Sequence, residues 1–177
     1  MVTGASGGVG SVAIDILTSK GYDVVAFTGK SSQHDYLRSL GATEFIDRHS
    51  VEMGSRPLEK ATWGGAVDNA GGGTLAWLTR TVKPWGNIAS IGLVDDYTLE
   101  TTVMPFILRG VSLLGINSIE MPSSMRDEIW RRMGEDLKAT RLDQIVTREV
   151  AFNDLPDSFS GFLDGKNWGR TVVRVTA

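Results

Sequence analysis

The sequence predicts an α/β fold, a Rossmann-like doubly wound parallel sheet with a C-terminal β-α-β appendage. Three observations predict it. The chain opens on a glycine-rich turn, Thr3-Gly4-Ala5-Ser6-Gly7-Gly8-Val9-Gly10. Helix-period segments and short β-branched runs alternate from there to about residue 138. Glycines stand at the breaks between them, at Gly21, Gly41, Gly71 and Gly92 among others.

The elements follow in order. Met1 to Thr3 is a short first strand. After Gly10, the residues Val12, Ala13, Ile16 and Leu17 recur at helical spacing, and Gly21 stops that helix. Tyr22 to Phe27 reads as a buried strand, Gln33 to Leu40 as a short helix closed by Gly41, and Glu44 to Ile46 as a strand. Pro57 to Thr62 reads as a helical turn. Gly65 to Asn69 is the next strand, followed by a helix from Thr74 to Val82 with Leu75, Leu78 and Val82 inward. Asn87 to Ile91 and Val111 to Ile116 are strands separated by a short helix, Pro105 to Arg109. Pro122 to Lys138 reads as a longer amphipathic helix carrying Met125, Ile129, Met133 and Leu137. This alternation is that of parallel βαβ units.

The pattern changes near Thr140. Residues 144–150 alternate like a half-exposed strand, Asn153 is placed to cap a helix over 154–163, and Thr171 to Val175 is β-branched. We therefore divide the chain into a dinucleotide-binding domain, residues 1–140, and a C-terminal segment, residues 141–177.

Composition narrows the class. Net charge is −3, so no basic footprint points to nucleic acid. No apolar run is long enough to span a bilayer, and the start lacks the charged and apolar regions of a secretory signal. A cytoplasmic setting is expected. Cysteine is absent, which removes disulfides and thiolate zinc sites from this chain. The two histidines, His34 and His49, have no ligand spacing and read as surface residues, so no metal site is expected. The five tryptophans form no periodic platform and read as packing residues, and Asp95-Asp96 reads as a solvated turn.

The glycine turn carries the chemistry. A pyrophosphate must approach backbone N–H groups at a helix N-terminus, and side chains there would hold it away. Ser6, Gly7, Gly8 and Val9 are the candidate phosphate ligands, with the Ser6 hydroxyl as an added donor. Choice of cofactor is made at the end of the second strand, where NAD enzymes place an acid against the ribose 2′-hydroxyl. Here Thr28-Gly29-Lys30-Ser31-Ser32 has no acid. Thr28, Lys30 and Ser31 offer hydroxyls and a cation, which suits a 2′-phosphate and hence NADPH (NADP+). Gly92 and Leu93 follow a strand and are expected near the nicotinamide ribose, the alternative being a simple turn. Asn117 and Ser118 end the next strand, toward the nicotinamide end. Arg170 reads as a surface charge.

Two reductase families share this opening. The turn matches the short-chain dehydrogenases, and Asp68-Asn69-Ala70-Gly71 is similar to a second motif of theirs. Their catalysis needs a Tyr with a Lys four residues on, whereas Tyr22, Tyr36 and Tyr97 are followed at that spacing by Ala26, Leu40 and Thr101. That chemistry is not encoded. Nearly the whole chain instead resembles the cofactor domain of the medium-chain dehydrogenase/reductase superfamily, in its zinc-independent quinone oxidoreductase type and the branch that includes acrylyl-CoA reductase. The resemblance rests on the opening turn, Thr28-Gly29-Lys30, His34-Asp35-Tyr36-Leu37, Leu40-Gly41-Ala42 and Arg56-Pro57-Leu58-Glu59-Lys60. It continues through Met104-Pro105-Phe106-Ile107-Leu108-Arg109-Gly110 and Gly165-Lys166-Asn167-Trp168-Gly169-Arg170.

The resemblance implies hydride transfer from NADPH to a quinone or an activated alkene, with a small-molecule substrate. It implies that Asn167 meets the nicotinamide half of the cofactor; a turn-stabilising asparagine is the alternative. In that family a GroES-like domain precedes this region and supplies much of the substrate cleft. With only three residues before Gly4, the chain is expected to be preceded by further sequence. No catalytic acid is assigned within it. The C-terminal strands would return to the preceding domain, and their free edges lead us to expect a homo-oligomer. The rival reading is a non-catalytic nucleotide-sensing or structural module of the same fold.

Overall fold

The computed structural model describes residues 1–175. Six strands form one parallel sheet: β1 (Val2–Thr3), β2 (Val25–Thr28), β3 (Glu44–Asp47), β4 (Ala66–Asp68), β5 (Asn87–Ser90) and β6 (Ser112–Gly115). Their spatial order is β3-β2-β1-β4-β5-β6. That is the doubly wound order, which reverses direction between β1 and β4 and opens a crevice at the strands' C-terminal ends. β1 is only two residues long and yet central, pairing with β2 through Val2–Ala26 and with β4 through Val2–Val67.

Helices α1 (Gly8–Ser19), α2 (His34–Ser39), α3 (Gly72–Thr81) and α4 (Met104–Arg109) connect the strands. Successive strand residues point to opposite faces, so the sheet supports two cores. Ala26 belongs to the first, with Val2, Ile14, Leu37 and Leu40. Phe27 belongs to the second, with Leu75, Trp77, Leu78, Val82 and Ile88. Trp63 packs edge-on against Trp77, with ring centroids 6.1 Å apart.

Several expectations are corrected. Residues 57–62 form no helix; Arg109 instead donates to the Glu59 carbonyl and ties this loop to α4. The long helix α5 (Ser123–Gly134) stops four residues short of Lys138, and none of its residues is buried. Arg131 and Arg132 pair with Glu128, Glu135 and Asp136 along its surface instead. In α1 the fully buried positions are Gly10, Ser11, Ile14 and Asp15, while Val12, Ala13 and Leu17 of the expected stripe are half-buried and pack against the first core. A carboxylate on the inward face is what hides that face from a hydrophobic pattern.

The appendage is a βαβ unit. α6 (Leu142–Ile145) leads into β7 (Val146–Ala151), and short turns and α7 (Phe159–Leu163) lead to β8 (Arg170–Arg174). β7 and β8 pair in parallel as a separate two-stranded sheet. The unit is seated on the first core through Ile145, which is buried there. Asp15 receives the Thr140 and Arg141 amides at 2.6 and 2.9 Å and the Arg141 guanidinium at 2.7 Å. Asn153 lies within the Phe152–Asp154 turn and the helix starts only at Phe159, with Ser158 at its N-cap, so the cap expected from Asn153 does not form.

Candidate dinucleotide site

The turn from β1 into α1 is held from three sides. Gly4 takes φ +56°, a conformation that favours glycine. The Ser11 hydroxyl donates to the Gly7 carbonyl at 2.8 Å and receives the Tyr36 hydroxyl at 2.8 Å, so α2 braces the turn. Burial pushes the Tyr36 phenol up, keeping it a donor. Below the turn, Thr3 Oγ1 donates to Asp68 at 2.7 Å, and the Asn69 amide side chain donates to the Thr3 carbonyl at 2.7 Å. Burial raises the Asp68 carboxyl despite these contacts.

The result is an α1 N-terminus whose Gly8 and Val9 amides have no backbone acceptor among the described residues. These amides and the positive end of the helix face outward, as a phosphate requires. A Cβ on Gly8 would lie 2.5 Å from Arg170 Nε. Arg170, read from sequence as a surface charge, is therefore laid across the glycine turn. No local signal shows this, because β8 is brought there by the Gly169 amide donating to the Ser6 carbonyl at 2.8 Å.

The other candidate residues line the same edge. Ser6 and Thr28 are buried with their hydroxyl oxygens 3.4 Å apart. The Lys30 amide donates to Thr28 Oγ1 at 3.2 Å, and Ser31 opens an exposed turn after it. Gly92 and Leu93 follow β5 and line a cavity of about 210 Å³ with Gly71, Gly72, Ser90 and Tyr97. A Cβ on Gly92 would meet the Asn69 carbonyl oxygen at 2.3 Å, so glycine is what allows this loop to close on β4. Ser118 lies beyond β6, its carbonyl accepting from Arg126 at 3.2 Å. The exposed Asn117 folds into its own turn, its Oδ1 taking the Ile119 and Glu120 amides.

The Asn167 carbonyl accepts Lys30 Nζ at 2.5 Å, on the β2 side of the turn. The seating of the appendage on α1 fixes this side. His49 differs in part. It is exposed, but its imidazole and the Arg48 guanidinium lie over Gly29, where a Cβ would be 2.4 Å from His49 Nε2 and 2.7 Å from Arg48 Nε. His34 is stacked on Phe45, with ring centroids 4.4 Å apart.

An anion-ready helix end at the switch point of a doubly wound sheet defines a dinucleotide-binding architecture. The zinc-binding dehydrogenase family model matches residues 8–135, and the chain belongs to this family, within the medium-chain dehydrogenase/reductase superfamily. It is 44% identical over its whole length to acrylyl-CoA reductase AcuI of Ruegeria pomeroyi, of which it covers 54%. The crystal structure of the YhdH oxidoreductase of Salmonella enterica in complex with NADP matches with a TM-score of 0.92 and 40% identity, over 99% of this chain and 53% of that one. Bacillus subtilis YhfP, crystallised with NAD bound, matches with a TM-score of 0.93 and 44% identity, over 98% of this chain and 53% of that one. The chain spans about half the length of the curated relatives it matches.

The zinc of the family's description does not fit these residues. The sequence has no cysteine, and among the described residues no three His, Asp or Glu side chains cluster as ligands. A dinucleotide does fit, by the open α1 amides and by a glycine turn that a side chain would fill.

Proposed function

We propose that this chain is the NADPH-binding part of a zinc-independent medium-chain reductase acting on a quinone or an activated alkene such as acrylyl-CoA. The observation that carries the reading is the glycine turn opening α1 at the switch point, beside a β2 end that has Lys30 and no acid. Bound nicotinamide would supply the hydride. The α1 amides would hold the pyrophosphate, with Arg170 folded over it from β8. Thr28, Lys30 and Ser31 would take the adenosine end, and Gly92, Leu93 and Ser118 the side toward the nicotinamide. The AcuI name favours a reductase over a nucleotide-sensing module.

Residues 1–140 form the cofactor domain in this reading, and residues 141–177 the segment that completes its phosphate turn. We also infer a homo-oligomer. Phe152, Phe159, Phe162 and Leu163 of the appendage are each more than half exposed, an apolar surface that association would cover. Use of NADPH favours a cytoplasmic setting. Among the described residues no helix is long and apolar enough to cross a membrane.

Calorimetry with NADPH and NADH tests the reading. NADPH should bind about ten- to a hundredfold tighter, the worth of a charged hydrogen bond to the 2′-phosphate. Equal affinities would remove the cofactor assignment. Turnover is then assayed on the full-length protein with acrylyl-CoA and simple quinones.

A further inference from the structure

The N-cap of α1 is Gly7, which has no side chain to cap with. Ser, Thr, Asp or Asn at that position would return an oxygen to the first amides of the helix. Gly7 is extended there, at φ −78° and ψ 170°, and no side chain takes those amides. They are left for a ligand. The same choice sets the Gly7–Gly8 peptide between two residues without a Cβ, the pairing that leaves a peptide freest to rotate. Its orientation matters. In a trans peptide the carbonyl of one residue and the N–H of the next point opposite ways, so holding the Gly7 carbonyl inward aims the Gly8 N–H outward.

Two donors hold that carbonyl. The Ser11 amide reaches it at 2.9 Å and the Ser11 hydroxyl at 2.8 Å. The Ala5 carbonyl stands farther from the same hydroxyl, at 3.4 Å. Ser11 is fully buried, and its oxygen accepts in turn from the Tyr36 hydroxyl at 2.8 Å. Tyr36 is fixed by its neighbours on α2. Leu37 and Leu40 are buried in the first core, and the Tyr36 ring packs against that core. In such a chain each donation strengthens the next. Tyr36 to Ser11 to the Gly7 carbonyl therefore draws electron density from the Gly7–Gly8 peptide and sharpens the Gly8 N–H as a donor.

We propose that Tyr36 and Ser11 are positioning residues that aim and polarise the Gly8 N–H toward the pyrophosphate of the cofactor. Both act through the Gly7–Gly8 peptide. The proposal rests on the dinucleotide reading above and applies to NADPH and NADH alike, since both carry the pyrophosphate.

Tyr36→Phe keeps the ring in place and removes only the hydroxyl, and Ser11→Ala removes the link. Calorimetry should show NADPH and NADH each weakened by about two- to tenfold in either variant, the worth of one net hydrogen bond, with their ratio kept. The two hydroxyls act in series, so Tyr36→Phe made on Ser11→Ala should cost less than about twofold more. In the free protein the Gly8 amide nitrogen, followed by NMR, should move upfield in both variants as the peptide loses polarisation, while the Gly21 amide beyond the far end of α1 stays in place. A role confined to packing would lower stability without that displacement, and circular dichroism checks that the variants fold. A parent that binds neither dinucleotide would overturn the dinucleotide reading and this assignment together. With a parent that binds, full affinity in Tyr36→Phe, a changed NADPH-to-NADH ratio, an unmoved Gly8 nitrogen, or losses that add in the double variant would each overturn this assignment alone.

Discussion

Asp15→Ala should loosen the joint between the two sheets more than any exposed charge change. The carboxylate is fully buried on the inner side of α1. It accepts from the Thr140 amide at 2.6 Å, the Thr140 hydroxyl at 2.9 Å, the Arg141 amide at 2.9 Å and the Arg141 guanidinium at 2.7 Å. Its removal leaves four donors without an acceptor. Breaking a buried pair from one side costs about 3–5 kcal/mol, a large part of the roughly 5–15 kcal/mol that stabilises a domain. At about 2–4 °C per kcal/mol for a chain of this size, the melting temperature should fall by about 6–20 °C. Arg141→Ala should cost about 1 kcal/mol or less, because that side chain is 34% exposed and Asp15 keeps three donors.

Acid should reproduce part of the effect. Burial raises the Asp15 carboxyl, but the Arg141 and Thr140 donors outweigh it and hold its pKa below the ordinary value. A depressed carboxylate stabilises the fold above its unfolded pKa, about 3.9, and loses that contribution as pH falls through the folded value. Stability should therefore drop below about pH 4, with a shallower slope in Asp15→Asn. Denaturant unfolding measures all of these, with exchange at the Gly169 amide reporting on the appendage. A loss under about 1 kcal/mol in Asp15→Ala would refute the reasoning.

The glycine turn should separate binding from folding. In Gly8→Val the atoms nearest the new Cβ belong to the flexible end of Arg170, so the fold should persist while titrations show NADPH and NADH binding abolished; retained affinity would place the pyrophosphate elsewhere. In Gly10→Ala the Cβ would meet backbone, the Gly4 carbonyl oxygen at 2.5 Å and Ala5 Cα at 2.8 Å, so stability should fall by about 1–3 kcal/mol in thermal melts. Light scattering should show more than a monomer, and a monomer at all concentrations would remove the inferred association.

Periodicity and glycine placement made most of the Rossmann part legible. In the run Val25–Thr28 the successive apolar residues Ala26 and Phe27 enter opposite cores because the sheet is covered on both faces, and Gly21, Gly41 and Gly71 mark turns with positive φ. The glycine turn and the acid-free end of β2 are local chemistry, readable without coordinates. Spatial order is not local. The neighbours of β1 are β2 and β4, and only packing of helices on both faces decides that.

Long-range contacts account for what the sequence could not show. The pattern along α1 does not mark Asp15 as buried, because its partners Thr140 and Arg141 stand 125 and 126 positions away. No local signal places Arg170 at the glycine turn or the Asn167 carbonyl at Lys30; the seating of Ile145 and the Gly169–Ser6 hydrogen bond carry them there. Arg48 and His49 carry no motif; strand register sets them over Gly29. Pattern along a chain encodes which face of an element is apolar. Which distant charge or carbonyl meets a buried polar group is settled only when those faces pack.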